Sequence, residues 1–172
     1  MTIIYLNGDD NMAKFIKKHA RIIHVISICF YLLLVLAYTI LSLQNGEKSS
    51  NTSSSVAHAV ADAQETITGK NVIVTQKYEL NVRKIVGHYG FFLLIGLFSA
   101  FSYMMSPLKK NISAIIHFLT GLFFALITEF WFQASSQGRS PALKDVIIDY
   151  SGFLTFSVFI VTAFIITQKK KC

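Results

Sequence analysis

Cysteine is nearly missing from this 172-residue chain and acidic residues are scarce, with two Cys and nine Asp and Glu in all. Cys29 lies inside an apolar run and Cys172 at the last position, so the two differ in depth and environment and cannot meet. That excludes a disulfide framework and a cysteine-based metal site. Charged residues make up only 15% of the chain, and no basic face interleaved with aromatic residues exists away from the flanks of the apolar runs. A nucleic-acid partner is therefore excluded, although the net charge is +7. Alternation is missing too. The hydrophobic 53% comes in long blocks, without the period of roughly 3.6 or 2 residues that marks soluble domains.

What is present is four apolar runs, residues 22–43, 85–105, 112–132 and 146–167, each of 21 or 22 residues. A bilayer requires roughly 20. The first run is too long for the core of a secretory signal, about 7 to 15 residues, and no small-residue cleavage site follows it closely, so it reads as a retained helix. The expected fold is all-α, an integral membrane four-helix bundle. Basic residues orient it. Lys14, Lys17, Lys18 and Arg21 precede the first run, Lys109 and Lys110 link the second to the third, and Lys169, Lys170 and Lys171 follow the fourth. One side then carries nine basic and two acidic residues, and the other seven of each. Lys and Arg excess near helix ends marks the cytoplasm, which places both termini inside.

The expected divisions are a basic cytoplasmic segment 1–21, with Met12 an alternative start, a first transmembrane helix 22–43 and an extracytoplasmic loop 44–82. The core, 83–172, then holds three transmembrane helices and a short cytoplasmic tail. In the loop, Ser55 is a candidate cap for a short helix through Thr66, with Val56, Ala59, Val60 and Ala63 on one side. Such a helix would lie on the membrane or over the site; a mobile linker is the alternative.

Three ionisable residues share one depth. His88 stands three residues into the second run, Glu129 three before the end of the third, and Asp149 three into the fourth. At a rise of about 1.5 Å per residue, all lie about 5 Å below the same, outward-facing boundary. An ionisable group there costs a few kcal/mol and needs a partner or a cavity. Lys84 and His88, Glu129 and Gln133, and Asp145 and Asp149 are each four residues apart, so on an α-helix each pair shares a face. Gly138 and Pro141 turn the short outer link around Arg139. Asp145 and Asp149 repel unless cations lie near or one carboxyl keeps its proton.

These residues read as a polar pocket open to the outer leaflet. His88, Glu129 and Asp149 are its catalytic candidates, with Glu129 or His88 as general base or acid and Asp149 orienting His88. Lys84, Gln133, Arg139 and Asp145 are the substrate-binding candidates, the cations holding a phosphate or carboxylate. The alternative is that the same residues pair with one another and staple three helix ends. A divalent metal suits the ligand types of His88, Glu129 and Asp149, but no spacing signature supports it, and neither metal nor cofactor is expected. His24, His117 and Trp131 read as snorkelling, packing or interfacial residues.

The order of residues matters further. Arg83, Lys84, His88, Phe92 and Gly96 are followed by Thr128, Glu129 and Gln133, then by Gly138, Arg139 and Ser140, then by Asp145, Asp149 and Gly152. This succession, covering about half the chain, resembles the VanZ-like membrane proteins. The resemblance implies a small multi-pass protein of the bacterial cytoplasmic membrane and cell envelope, with resistance to the glycopeptide teicoplanin as its setting. The expected partner is a membrane lipid or lipid-linked wall precursor. No reaction is implied. The chain departs from the family pattern at Asp149, where Asn is usual, and at Phe156, where a second Gly is frequent and where Phe is expected to fill space between helices.

Overall fold

The computed structural model of the protein describes residues 8–169. Expectations for residues 1–7, for Lys170, Lys171 and Cys172, and for the side chains of Lys14, Lys17, Lys18 and Lys169 lie outside the described residues. Five helices follow one another: α1 (Gly8–Ser42), α2 (Gly46–Thr68), α3 (Gln76–Met104), α4 (Lys110–Gln133) and α5 (Leu143–Lys169). No strand occurs among the described residues. Four stretches are long and apolar enough to cross a membrane: Arg21–Ser42, Gln76–Met104, Lys110–Gln133 and Leu143–Ile166. Leu33, Phe123 and Phe159 stay more than half exposed on them. Such an apolar exterior suits hydrocarbon and is a liability in water. The fold is that of an all-helical, multi-pass membrane protein.

α3 is the central element and packs against α5, α1 and α4. Its crossing with α5 is set by two glycines. A Cβ on Gly152 would collide with the carbonyl oxygen of Tyr89 and lie 3.1 Å from its Cα, while one on Gly96 would collide with the carbonyl oxygen of Phe153 and lie 2.9 Å from its Cα. Backbone therefore touches backbone, the contact that small residues permit between membrane helices. The Ser157 hydroxyl donates to the Gly96 carbonyl at 3.2 Å, across the same crossing. Because Tyr89 follows His88 and Gly152 lies one turn beyond Asp149, this close approach also fixes the separation of those two side chains. Phe92, Ile95 and Phe153 fill the interface with almost no exposed surface. Phe156 does not share in it: its side chain is 44% exposed on the outer face of α5, contrary to the expectation that it fills inter-helical space.

The stretch 44–82 is mostly helical. α2 begins nine residues before Ser55, where the Asn45 side chain accepts the Lys48 amide at 2.9 Å, and it ends beyond Thr66, with Gly69 in the left-handed region at φ +67°. Ser55 is no cap; its hydroxyl donates back to the Asn51 carbonyl within the helix, at 3.0 Å. Two anchors explain the longer helix. At its start the Gly46 amide donates to the Gln137 carbonyl at 2.8 Å, and a Cβ on Gly46 would lie 2.6 Å from the Gly138 oxygen. Along its length Ala57 and Ala61 are buried, Ser54 donates to Glu79 at 2.9 Å and Tyr78 to Gln64 at 3.3 Å. α3 likewise starts earlier than expected, at Gln76, with Thr75 accepting the Tyr78 amide.

Two segments depart from α-helical geometry. Arg83–Gly90 within α3 and Thr128–Gln133 at the end of α4 are π-helical. Hydrogen bonds from i to i+5 widen the turn, and such insertions are frequent at functional sites. One carries His88 and the other Glu129.

Candidate functional site

The three ionisable residues picked from the apolar runs meet inside the bundle. His88, Glu129 and Asp149 are all buried, with one ligating atom from each within 4.8 Å of the others. His88 Nδ1 lies 3.0 Å from Asp149 Oδ1, the sole ion pair among the described residues. When Asp149 is ionised its carboxylate only accepts, so the proton of that bond then lies on Nδ1 and the Nε2 lone pair is free. No hydrogen bond among the described residues uses Nε2, and His88 lines two clefts.

Tyr38 of α1 completes this arrangement, and the sequence reading passed over it. Its hydroxyl donates to Asp149 Oδ2 at 3.3 Å and lies 3.1 Å from His88 Nδ1. Phe91 and Phe92 hold the phenol ring, with centroids at 5.6 and 5.0 Å. Tyr38 stands four residues before the end of α1, near the same boundary, but nothing in the residue type marks it as a partner of the pair.

Glu129 is held differently. One oxygen accepts the Ala142 amide at 2.7 Å and the other accepts from the Gln133 side-chain amide. Gln133 in turn accepts from Arg139 Nη2 at 2.5 Å, and Arg139 Nη1 donates to the carbonyls of Leu41 and Ser42 at 3.3 and 3.2 Å. Arg139 thereby caps the end of α1, where free carbonyls and the helix dipole favour a cation. This chain ties the end of α4, the turn at 134–142 and the end of α1 together. Glu129 lines neither cleft and both its oxygens have protein partners, whereas His88 lines both clefts.

The polar cleft is lined by Arg83, Lys84, His88, Gln133, Arg139 and Asp145, among others. Arg83, like Tyr38, was not among the sequence-derived site residues. Neither Arg83 nor Lys84 forms an ion pair among the described residues. Burial, and then the neighbouring Arg83, pull the Arg139 guanidinium below its usual value; a guanidinium nonetheless stays charged in proteins. Three cations thus face one acid, Asp145, and the cleft suits an anion. Lys84 and His88 line this cleft together, His88 buried and Lys84 half-buried in the widened turn.

One nitrogen and two carboxylates match the donor set of a divalent transition ion. The same atoms also close their own network, since both oxygens of Glu129, both of Asp149 and His88 Nδ1 have protein partners. Of the other histidines, His117 is fully buried in the far half of the bundle, and His24 is half-buried in α1, facing neither cleft. Trp131 is 72% exposed, as an interfacial residue would be.

Fold and site together define a helical membrane protein with a buried histidine–carboxylate pair beside a cationic cleft. Compared with family models, with curated proteins and with solved structures, the chain finds no match.

Proposed function

We propose that this chain is a VanZ-like protein of the bacterial cell envelope, seated in the cytoplasmic membrane with its site facing outside. In this reading it performs acid–base chemistry on an anionic membrane lipid or lipid-linked wall precursor, with tolerance to teicoplanin as the phenotype. The observation that carries the reading is His88, held through Nδ1 by Asp149 and Tyr38 with Nε2 unbonded beside three cations. Nε2 takes a proton from the attacking water or hydroxyl and returns it to the leaving group, while Asp149 stabilises the imidazolium between the two steps. Arg83, Lys84 and Arg139 neutralise the phosphate or carboxylate of the substrate. The test is complementation of a deletion strain with His88→Asn, or with Arg83→Ala and Lys84→Ala together, at wild-type membrane abundance. Both are expected to leave the strain glycopeptide-sensitive, with altered lipid-linked intermediates by mass spectrometry.

A second reading, in which the protein binds without catalysing and the polar residues staple the helices, draws support from the closed Glu129–Gln133–Arg139 network. Full tolerance with His88→Asn would select it.

A further inference from the structure

The polar cleft does not stand alone. A second cleft, with a cavity volume of about 120 Å³, lies between α1, α2 and the π-helical part of α3, and it shares Arg83, His88 and Arg139 with the first. Its remaining surface is mostly apolar, from Leu41 of α1, Val56 of α2, and Val82, Val86 and Phe91 of α3, with Ser42, Gln44 and Ser49 at its polar edge. The α2 wall also contributes Thr52 and Ser53, but their hydroxyls donate to the Lys48 and Ser49 carbonyls of their own helix, at 2.9 and 2.8 Å. An occupant therefore meets hydrocarbon surface there and owes those groups no hydrogen bond.

Building on the function proposed above, we infer that the site holds an anionic amphiphile, with its charged head in the polar cleft against Arg83, Lys84 and Arg139 and one hydrocarbon chain in the cleft beneath α2. A free inorganic anion would leave the apolar cleft without a purpose, and a neutral lipid would leave cations unpaired in a costly position. Size limits the occupant to part of one chain, because pockets that enclose a whole small molecule run to roughly 300–1,000 Å³. α2, tied down at Gly46 and buried at Ala57 and Ala61, is the element that makes a chain-binding wall out of what would otherwise be open lipid. The head is a phosphate or a carboxylate, and the chain straight or branched; the ligands tested separate these.

The experiment uses the full chain in phosphatidylcholine nanodiscs, titrated with dodecyl phosphate, dodecanoate, geranyl phosphate, dodecanol and inorganic phosphate. Val86→Trp and Val56→Trp fill the cleft from its two walls, at side chains 40% and 37% exposed, where the fold tolerates bulk. Wild-type protein is expected to bind one of the anionic amphiphiles at least tenfold more tightly than either tryptophan variant, and to bind dodecanol no better than they do. Inorganic phosphate is expected to bind wild type and variants within twofold of one another. Equal binding of every amphiphile by wild type and both variants overturns the inference, as does a preference for dodecanol over the anions. His88→Asn separates this from the chemistry: if it keeps amphiphile binding and also keeps full drug tolerance, the catalytic reading falls and the amphiphile site stands. If the tryptophan variants bind normally while His88→Asn abolishes tolerance, the reverse holds.

Discussion

Two histidines are buried in this bundle, one in each half, and their surroundings could hardly differ more. His88 is bonded through Nδ1 to a carboxylate and a phenol and lines two clefts; His117 is bonded through Nδ1 to the Ser99 hydroxyl at 2.9 Å and lines none. The His117 ring is packed among Phe153, Phe118 and Tyr103, with centroids at 4.7, 5.0 and 5.8 Å, and its Nε2 is buried without a partner. A buried imidazole is thus not a site in itself. What distinguishes His88 is a carboxylate at one nitrogen, two clefts that reach the residue and cations beside it. At His117 the ring serves as a flat, nearly apolar packing unit.

The sharpest way to break this contrast is to make the same substitution twice. On the function proposed above, His88→Phe is expected to abolish drug tolerance, and to cost about 3–5 kcal/mol because it leaves Asp149 as an uncompensated buried charge. His117→Phe should retain tolerance and cost less, about 1–3 kcal/mol, since it keeps the aromatic stack but takes the Nδ1 partner from the buried Ser99 hydroxyl. Equal losses at the two positions in detergent melts and plating assays would dissolve the distinction. Next in size is Gly152→Val, expected to cost about 1–3 kcal/mol by overpacking against Tyr89. It should also part His88 from Asp149, so tolerance falls even in protein that survives folding; unchanged tolerance at normal abundance would contradict the role given to the crossing. Glu129→Gln comes third. Its new amide faces the Gln133 amide, one of the two must turn, and a lost bond is expected to cost about 1–3 kcal/mol. Its loss should appear as reduced thermal stability and reduced abundance, and tolerance should recover when expression is raised, which a catalytic base would not allow. Smallest is Asn45→Ala, at about 0.5–2 kcal/mol of α2 stability. Faster hydrogen exchange confined to the first turn of α2 is the expected signature.

Much of this was open to reading from the residues. Four apolar runs are what a bilayer demands, and the three ionisable residues stood out because each interrupts such a run at one depth. Tyr38 escaped because a tyrosine near a membrane boundary is ordinarily an anchor, and only its neighbours on α3 and α5 make it a hydrogen-bond partner. The π-helical segments escaped for the related reason that a widened turn depends on what packs against it, such as the backbone contact of Tyr89 with Gly152, and has no residue signature of its own. α2 was underestimated because Ser and Thr are poor helix formers. Its buried alanines, its Asn45 cap and its attachment to Gly138 outweigh that preference.

Arg139 has a practical consequence for anyone who mutates this gene at random. One side chain fastens the end of α1, the turn after α4 and, through Gln133, Glu129 itself. A screen for dead variants will therefore return Arg139 and Glu129 for want of protein, before any part that Arg139 takes in the cleft is tested. Sorting the hits by how much protein reaches the membrane separates keystone from tool before any substrate is in hand.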